Sequence, residues 1–259
     1  MKTAYCMIRE RPEYRREVFV SGLKALGYRV TAAAPSVTRP EDLVVIWNRY
    51  GVFERLADRH EARGGTVVVA ENGYFQRPHF GGTHFALAIG GHNGQGRWPA
   101  GDAQRWSALG IEVKPWRASG THVLVCPNRP FGRRGYVMPP TWANDVVARL
   151  RRVTKRPIRV RPHPGNVEAT RPLAEDLRDA WTMVIWSSST GVHSLVAGVP
   201  VVCCSPAWIC KGAAAAQLAQ VDNPPMPERL PHFERLATAQ WTGDEIRTGE
   251  AFARLLRPA

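Results

Sequence analysis

Short apolar runs rich in β-branched residues alternate with amphipathic stretches along most of the chain, and this alternation restricts the fold more than any other feature. The predicted strands of the first half are Thr3–Ile8, Tyr28–Ala33, Leu43–Trp47 and Thr66–Ala70. The predicted helices between them are Glu13–Leu26 and Val52–Arg63, each followed by glycine, as is common at helix ends. Strands that alternate with helices in this way favour parallel βα units.

A second βα series begins near residue 121, after a segment (114–120) that we interpret as a hinge. Its predicted strands are Thr121–Cys126, Ile158–Arg161, Met183–Trp186 and Pro200–Cys204. Its predicted helices are Thr141–Val153, Pro172–Ala180, Thr190–Ala197, Lys211–Gln220 and Asp244–Leu256. The 259 residues suffice for two small domains. We therefore predict an α/β fold of two Rossmann-like, doubly wound halves, residues 1–118 and 119–259, that face each other across a cleft.

The basic residues are concentrated in one segment. The formal net charge is +13, and ten basic side chains against one acidic side chain, Asp145, lie between residues 129 and 161. Such a segment repels itself unless a polyanion or several phosphates balance it. Contact with nucleic acid and an arginine-rich composition without function both remain open as interpretations. The candidates for contact with DNA are Arg133, Arg134, Arg151, Arg152 and Arg156.

Several classes of protein are excluded by features that the sequence lacks. No apolar run approaches the roughly 20 residues needed to cross a bilayer, and no secretory signal begins the chain. We therefore expect a cytoplasmic protein, in the host cytoplasm if it is viral. The five cysteines show no metal-ligand spacing, so we expect buried free thiols. Neither a P-loop nor a dinucleotide-binding glycine pattern is present.

A histidine between two prolines follows the predicted strand Ile158–Arg161. The motif, residues 159–166, reads Arg-Val-Arg-Pro-His-Pro-Gly-Asn. Ligands of open α/β sheets bind outside the carboxyl ends of strands, and the prolines fix the backbone so that His163 projects from that edge. His163 is either a phosphate ligand or a turn histidine that caps its neighbours.

A run of hydroxyl side chains follows the predicted strand Met183–Trp186 and begins the next helix. The run consists of Ser187, Ser188, Ser189 and Thr190. The free backbone N–H groups and the dipole of a helix start favour anions, although serine and threonine are also common as plain helix caps. Because this run and His163 both follow strands of one series, we expect them to bind one diphosphate or monophosphate together.

These two motifs, followed by Leu-Val-Ala-Gly-Val-Pro-Val-Val at residues 195–202, resemble the donor-binding half of GT-B glycosyltransferases. The likeness covers residues 155–205 and is greatest to the capsule-type and sialyltransferase-like branches. It implies a nucleotide-sugar co-substrate and no tightly bound cofactor, and it leaves a divalent metal requirement open. It also implies that residues 119–259 bind the donor and residues 1–118 the acceptor. The implied ligands of the donor phosphates are Arg161, His163, Ser187, Ser188, Ser189, Thr190 and Lys211.

A carboxylate, Glu71, ends the last predicted strand of the first half. Transfer with inversion needs a general base for the acceptor hydroxyl, and a carboxylate at a strand end suits that role. We interpret Glu71 as this base, with Asp102 as the second candidate; a carboxylate that caps its turn is the alternative. The intervening loop is rich in glycine, histidine and aromatic residues, and its spacing of histidines fits no metal site. Its candidates for acceptor contact are Arg77, His79 and His92.

Size and charge suggest the acceptor. Bacteriophages glucosylate hydroxymethylated pyrimidines of their DNA with small two-domain enzymes that are similar in both respects. The prediction is therefore hexosyl transfer from a UDP-sugar such as UDP-glucose to the 5-hydroxymethyl group of a modified pyrimidine in DNA, for example 5-hydroxymethylcytosine, by a monomer. The alternatives are a glycosyltransferase of cell-surface polysaccharide, a sugar-nucleotide epimerase, and a nucleic-acid-binding protein without catalysis.

Overall fold

The computed structural model describes residues 1–35, 37–75, 83–163 and 171–257. The chain forms two compact units. Unit 1 comprises Met1–Arg105 and Glu234–Ala259, and unit 2 comprises Trp106–Phe233. The chain leaves unit 1 within the helix Ala103–Ala108 (α3) and returns within the helix Leu230–Ala237 (α7), with elements numbered along the chain.

Unit 1 contains a mixed sheet, which has six strands among the described residues. The strands are β1 Thr3–Cys6, β2 Arg29–Thr31, β3 Leu43–Trp47, β4 Thr66–Asn72, β5 His84–Ile89 and β10 Gln240–Thr242. Their order is β10-β5-β4-β3-β1-β2. The four strands from β4 to β2 are parallel, as the βα alternation predicts, whereas β5 and β10 join in antiparallel orientation.

The C-terminal residues pack on the first helix of unit 1. The helices of this unit are α1 Arg16–Ala25, α2 Val52–Glu61, α8 Gly243–Arg247 and α9 Glu250–Leu255. Phe19 of α1, Trp241 of β10 and Phe252 of α9 are fully buried in one core. Gly22 permits this packing, because a Cβ there would lie 1.8 Å from the carbonyl oxygen of Ile246. The predicted boundary at residues 118 and 119, which assigns the C-terminal residues to the second half, therefore differs from the compact units.

Unit 2 is built on a parallel sheet whose strand order is β7-β6-β8-β9. Its strands are β6 His122–Cys126, β7 Ile158–Val160, β8 Ala180–Ile185 and β9 Val201–Cys203. Its helices are α4 Trp142–Val153, α5 Leu173–Leu177 and α6 Thr190–Val196. The alternating apolar positions of the strands pack on α4, with Val125, Leu150 and Val184 fully buried in the core. All three predicted strand–helix steps of this region are present.

Two predicted helices differ from the structure. The predicted helix Lys211–Gln220 is replaced by short 3-10 turns at Lys211–Ala213 and Leu218–Gln220. Between them Ala215 exchanges backbone hydrogen bonds with Val201 and Cys203 of β9, and this pairing keeps the chain extended. The predicted helix Asp244–Leu256 is divided into α8 and α9 by Gly249, whose φ is +86°.

None of the described helices is both long enough and apolar enough to span a membrane.

Candidate functional site

The carboxyl edge of the unit 2 sheet carries both predicted phosphate motifs. Strand β6 lies between β7 and β8, the strands that precede His163 and Ser187. On one side of β6, the backbone N–H of Arg161 donates to the carbonyl of Val125 at 2.9 Å. On the other side, the backbone N–H of Ser187 donates to Oδ1 of Asn128 at 3.3 Å. The end of β6 therefore holds the starts of both motifs at one edge.

The hydroxyl run is ordered by contacts between its own members. Thr190 donates its hydroxyl to Ser188 Oγ at 2.8 Å and its backbone N–H to the same oxygen at 3.3 Å. Ser188 is buried, whereas Ser187 and Ser189 are half-buried. Ser189 caps α6 without a side-chain hydrogen bond to the helix. Ser187 and Ser189 are therefore the more accessible hydroxyls of the run.

The two predicted cationic ligands differ in their surroundings. Lys211 Nζ donates to the carbonyl of Ser205, and the N–H of Ser205 donates to the carbonyl of Trp186 at 3.1 Å. The ammonium group thus lies near the hydroxyl run. Arg161 instead pairs with Asp176, and both side chains are only about one-tenth exposed. This ion pair neutralises the Arg161 guanidinium, which makes Arg161 a weaker candidate than Lys211 for a phosphate ligand.

Two cysteines near this edge, Cys126 and Cys203, are buried and protonated. Burial raises the pKa of Cys126 to about 12, although a hydrogen bond with Thr190 partly offsets the effect. Burial likewise raises the pKa of Cys203 to about 11. A thiol held in its neutral form is neither a good nucleophile nor a metal ligand. Among the described residues, no group of three or more His, Cys, Asp or Glu side chains is placed to hold a metal ion.

These shifts predict slow thiol chemistry and a loss of stability in alkali. We expect iodoacetamide at pH 8 to modify Cys126 and Cys203 rapidly in urea and very slowly in the folded protein, as measured by peptide mass spectrometry. In the unfolded chain both thiols return to a pKa near 9, so the folded protein retains protons that the unfolded chain releases. The free energy of unfolding should therefore fall as the pH rises above about 9. Equal labelling rates in the two states would contradict the burial.

Glu71 lies at the edge of the unit 1 sheet where β4 extends past β3. The pairing of these strands ends with Trp47 opposite Ala70, so Glu71 is the first residue beyond it. The Tyr74 hydroxyl donates to Glu71 Oε1 at 3.2 Å. Within the described part of the chain, no hydrogen bond is made to Oε2. One carboxylate oxygen is therefore available to accept a proton.

The turn after Glu71 is held by the C-terminal strand of the unit. The backbone N–H groups of Tyr74 and Phe75 donate to Oε1 of Gln240 in β10, at 3.0 and 3.1 Å. Gly73 is required at the turn, because a Cβ there would lie 2.6 Å from the carbonyl oxygen of His84. A buried glutamine and a glycine thus fix the position of the carboxylate relative to the sheet.

The second candidate base, Asp102, is engaged in local structure. Its Oδ1 accepts hydrogen bonds from the backbone N–H groups of Gln104 and Arg105 at 3.0 and 3.1 Å, which caps α3. Its Oδ2 lies 3.4 Å from Arg254. The Arg105 N–H, aided by Arg254, lowers the pKa of Asp102, which makes this carboxylate a poorer proton acceptor than an ordinary aspartate.

The predicted acceptor residues are dispersed. His92 lines a cavity together with Glu71, whereas Arg77 and His79 lie outside the described residues. Arg151 and Arg152 are exposed on α4, Arg133 is half-buried and Arg134 is exposed in the connection that precedes α4. Arg156 is used internally: it lies 3.3 Å from Asp222 and stacks over Trp181.

Three residues of these two edges were not singled out from the sequence: Asn128, Tyr74 and Gln240. Asn128 directly follows the strand Thr121–Cys126 and its proline, so a search of every strand end for polar side chains would have found it. In the sequence, Tyr74 is one of several aromatic residues in the loop after Glu71, and no pattern marks it as a partner of the carboxylate. Gln240 had no signal, because its role depends on the return of β10 to unit 1.

Comparison with known proteins identifies a shared fold. No protein-family model and no curated protein sequence matches the chain. Among the solved structures that match it, two from Thermosulfurimonas dismutans KpsC are covered over nearly their whole length. The chain shares its fold with them. One is a beta Kdo 2,4 transferase, with a TM-score of 0.58, 13% identity, and coverage of 93% of this chain and 91% of that chain. The other is a beta Kdo 2,7 transferase, with a TM-score of 0.55, 13% identity, and coverage of 90% and 95%.

Proposed function

We propose that the protein is a glycosyltransferase of GT-B-like fold that moves a sugar from a nucleotide-sugar donor to a hydroxyl group. The observation that carries the proposal is the carboxyl edge of the unit 2 sheet, where Asn128 and Lys211 lie with the hydroxyl run. Backbone N–H groups, hydroxyls and an ammonium group suit a phosphate ester, and strand ends of α/β sheets are the usual place for such ligands. The shared fold with two Kdo transferases supports the same reaction class.

In this proposal unit 2 binds the donor. His163 and Lys211 donate hydrogen bonds to the donor phosphates. Ser187 and Ser189 donate further hydrogen bonds to the phosphate oxygens. These contacts strengthen as the bond between the sugar and the phosphate breaks, because negative charge then collects on the leaving phosphate. Arg161 contributes to the positive potential of the edge rather than to direct contact, since it is paired with Asp176.

Glu71 is the proposed general base. The acceptor O–H bond breaks as its proton moves to a Glu71 carboxylate oxygen, and the acceptor oxygen bonds to the anomeric carbon. The bond from that carbon to the donor phosphate breaks at the same time, and its electron pair leaves with the nucleotide. A single displacement of this kind inverts the anomeric centre. The oxygen that accepts the proton is Oε2, since Oε1 accepts the Tyr74 hydroxyl.

A saccharide hydroxyl is the acceptor that the fold comparison favours, because both matching structures are named as Kdo transferases. A hydroxymethylated pyrimidine in DNA, with UDP-glucose as donor, is the second candidate. The observation in its favour is the basic surface of α4, where Arg149, Arg151 and Arg152 are exposed and form no ion pair with the described residues. Such a surface suits a polyanion.

Release of free nucleotide tests the proposal. The whole chain is incubated with UDP-, GDP- and CMP-activated sugars, UDP-glucose included, and each donor is tested alone, with saccharide acceptors, and with duplex DNA that contains 5-hydroxymethylcytosine. We expect one donor class to be turned over faster with a saccharide. Stimulation by the modified duplex alone would instead support the DNA acceptor. A protein that binds none of these donors is not a glycosyltransferase of this kind.

Replacing His163 by alanine should weaken binding of the productive nucleotide sugar about tenfold, the effect of one lost charge-assisted hydrogen bond. Isothermal titration calorimetry measures the dissociation constant directly. His193→Ala is the matched control, because His193 lies in the last turn of α6, away from the helix start. Equal affinities of the wild type and the His163 variant would remove His163 from the donor site.

A further inference from the structure

The segment after β5 forms a tight loop that returns to the sheet at residue 97. Ile89 and Arg97 exchange two backbone hydrogen bonds, at 2.7 and 2.9 Å. Two glycines have no room for a side chain: a Cβ on Gly91 would lie 2.8 Å from the Gln95 backbone, and one on Gly96 would lie 2.6 Å from Ala88 Cβ. The loop therefore has one tightly packed shape, which we call the glycine loop (residues 90–97).

A buried arginine fixes the start of the glycine loop. The Arg49 side chain is 1% exposed, and its guanidinium pairs with Asp58 and Glu61, both at 2.6 Å. The same group donates to the carbonyl of Gly90. Because a buried guanidinium with two carboxylate partners is costly to move, the loop is anchored independently of any ligand.

The glycine loop and the residue after it close a cavity beside the proposed base. Glu71, Tyr74, His92 and Trp98 line this cavity, whose volume is about 10 Å³, the space of about one water-sized group. Clefts that enclose whole drug-sized ligands are larger, about 300–1,000 Å³. The cavity therefore suits a single hydroxyl group, and it is too small for an extruded pyrimidine base.

Two polar atoms of this lining are buried and have no partner in the described part of the chain: Nδ1 of His92 and Nε1 of Trp98. Buried polar atoms in native proteins are nearly always hydrogen-bonded, so an orphan pair in one lining indicates a polar ligand. The Trp98 indole N–H can only donate, whereas a neutral imidazole nitrogen donates or accepts. Together with the Glu71 carboxylate, they match a hydroxyl group, which both donates and accepts.

We propose that Glu71, His92 and Trp98 form a hydroxyl-binding subsite that orients the acceptor, with Trp98 and His92 as positioning residues. The acceptor oxygen accepts the Trp98 N–H, and its proton points to the Glu71 carboxylate. His92 bonds the same oxygen. This inference rests on the proposed function and restricts its acceptor to one that inserts a single hydroxyl while its ring stays outside the cavity.

Binding is tested first without turnover. The nine tryptophans give indole N–H signals in a ¹⁵N spectrum of the whole protein, and Trp98→Phe assigns the Trp98 signal. Methyl β-D-galactopyranoside and the methyl glycoside of Kdo are the probes, each added with and without nucleotide. We expect at least one glycoside to shift the Trp98 signal and to leave that of Trp241 in place. Trp241 is the matched control, because its buried Nε1 also lacks a partner among the described residues but does not line the cavity.

Kinetics then separate a positioning role from a structural one. Trp98→Phe and His92→Phe should each lower kcat/KM for the acceptor about tenfold, because each removes one hydrogen bond. In both variants, hydrolysis of the donor by water and affinity for the donor should stay within about twofold of the wild type. His92→Asn should recover part of the loss. Three results would overturn the subsite and leave a cavity that holds only structural water. The first is an equal loss of hydrolysis and transfer in Trp98→Phe and His92→Phe, and the second is an effect of Trp241→Phe as large as theirs. The third is unchanged transfer in these variants together with no shift of the Trp98 signal. If a glycoside shifts the Trp98 signal but the protein turns over no donor, the subsite is supported and the proposed function is rejected.

Discussion

Replacing Glu71 by glutamine is expected to lower the rate of sugar transfer about 100-fold or more while nucleotide binding stays within about twofold. The amide has nearly the shape of the carboxylate and still accepts the hydrogen bond from Tyr74, but it cannot take a proton. Only the chemical step should therefore be affected. Nucleotide release under saturating donor and acceptor measures kcat, and calorimetry measures donor binding in the same variant.

Two further variants make this result specific. Asp102→Asn removes the other candidate carboxylate, which caps α3, and should reduce stability with little effect on kcat. Tyr74→Phe removes the hydrogen bond to Glu71 Oε1 and should shift the pH dependence of kcat rather than abolish transfer. Near-normal transfer by the glutamine variant, or a loss of transfer confined to Asp102→Asn, would assign the base elsewhere.

Gly22→Ala should lower the free energy of unfolding of unit 1 by about 3 kcal/mol or more, the upper range for overpacked sites. In most exposed helix positions the same change is stabilising by up to about 1 kcal/mol. The sign is reversed here because the new methyl group would lie 1.8 Å from the carbonyl oxygen of Ile246. To accommodate it, α8 must move away from α1.

Urea unfolding measures this loss, and hydrogen exchange locates it. Exchange should become faster in α1 and in residues 234–257, with unit 2 little changed. Ser21→Ala is the matched control, since Ser21 is an exposed neighbour in the same helix and its replacement should be close to neutral. Protection of α8 and α9 equal to that of the wild type would show that the two helices tolerate the methyl group.

The parallel parts of both sheets were predictable because their strands are short, apolar and followed by amphipathic helices. Strand β3 was predicted with its observed bounds, Leu43–Trp47, since it is buried on both sides and has a uniform apolar pattern. Strand β5 was not, because alanines and a histidine weaken its strand signal and its partner β10 lies more than 150 residues away. Pairing between such distant segments leaves no local pattern.

The same distinction applies to the candidate site. His163 and the hydroxyl run were found because each directly follows a strand, and Glu71 was found for the same reason. The ion pairs that Arg161 and Asp102 form depend on tertiary neighbours, Asp176 and Arg254, which no spacing indicates. Sequence spacing therefore indicates the two sheet edges, and the tertiary partners of each side chain decide which residues are the stronger candidates.

Unit 2 is inserted between two segments of unit 1, and this order has a consequence during translation. The ribosome completes the sheet of unit 2 before it has made Gln240, the residue that holds the turn beside Glu71. Until then, β5 presents an unpaired edge to the nascent chain's surroundings, since β10 is its outer partner. Unit 2 can thus fold early, whereas unit 1, which carries the proposed base, becomes complete only when β10 has emerged.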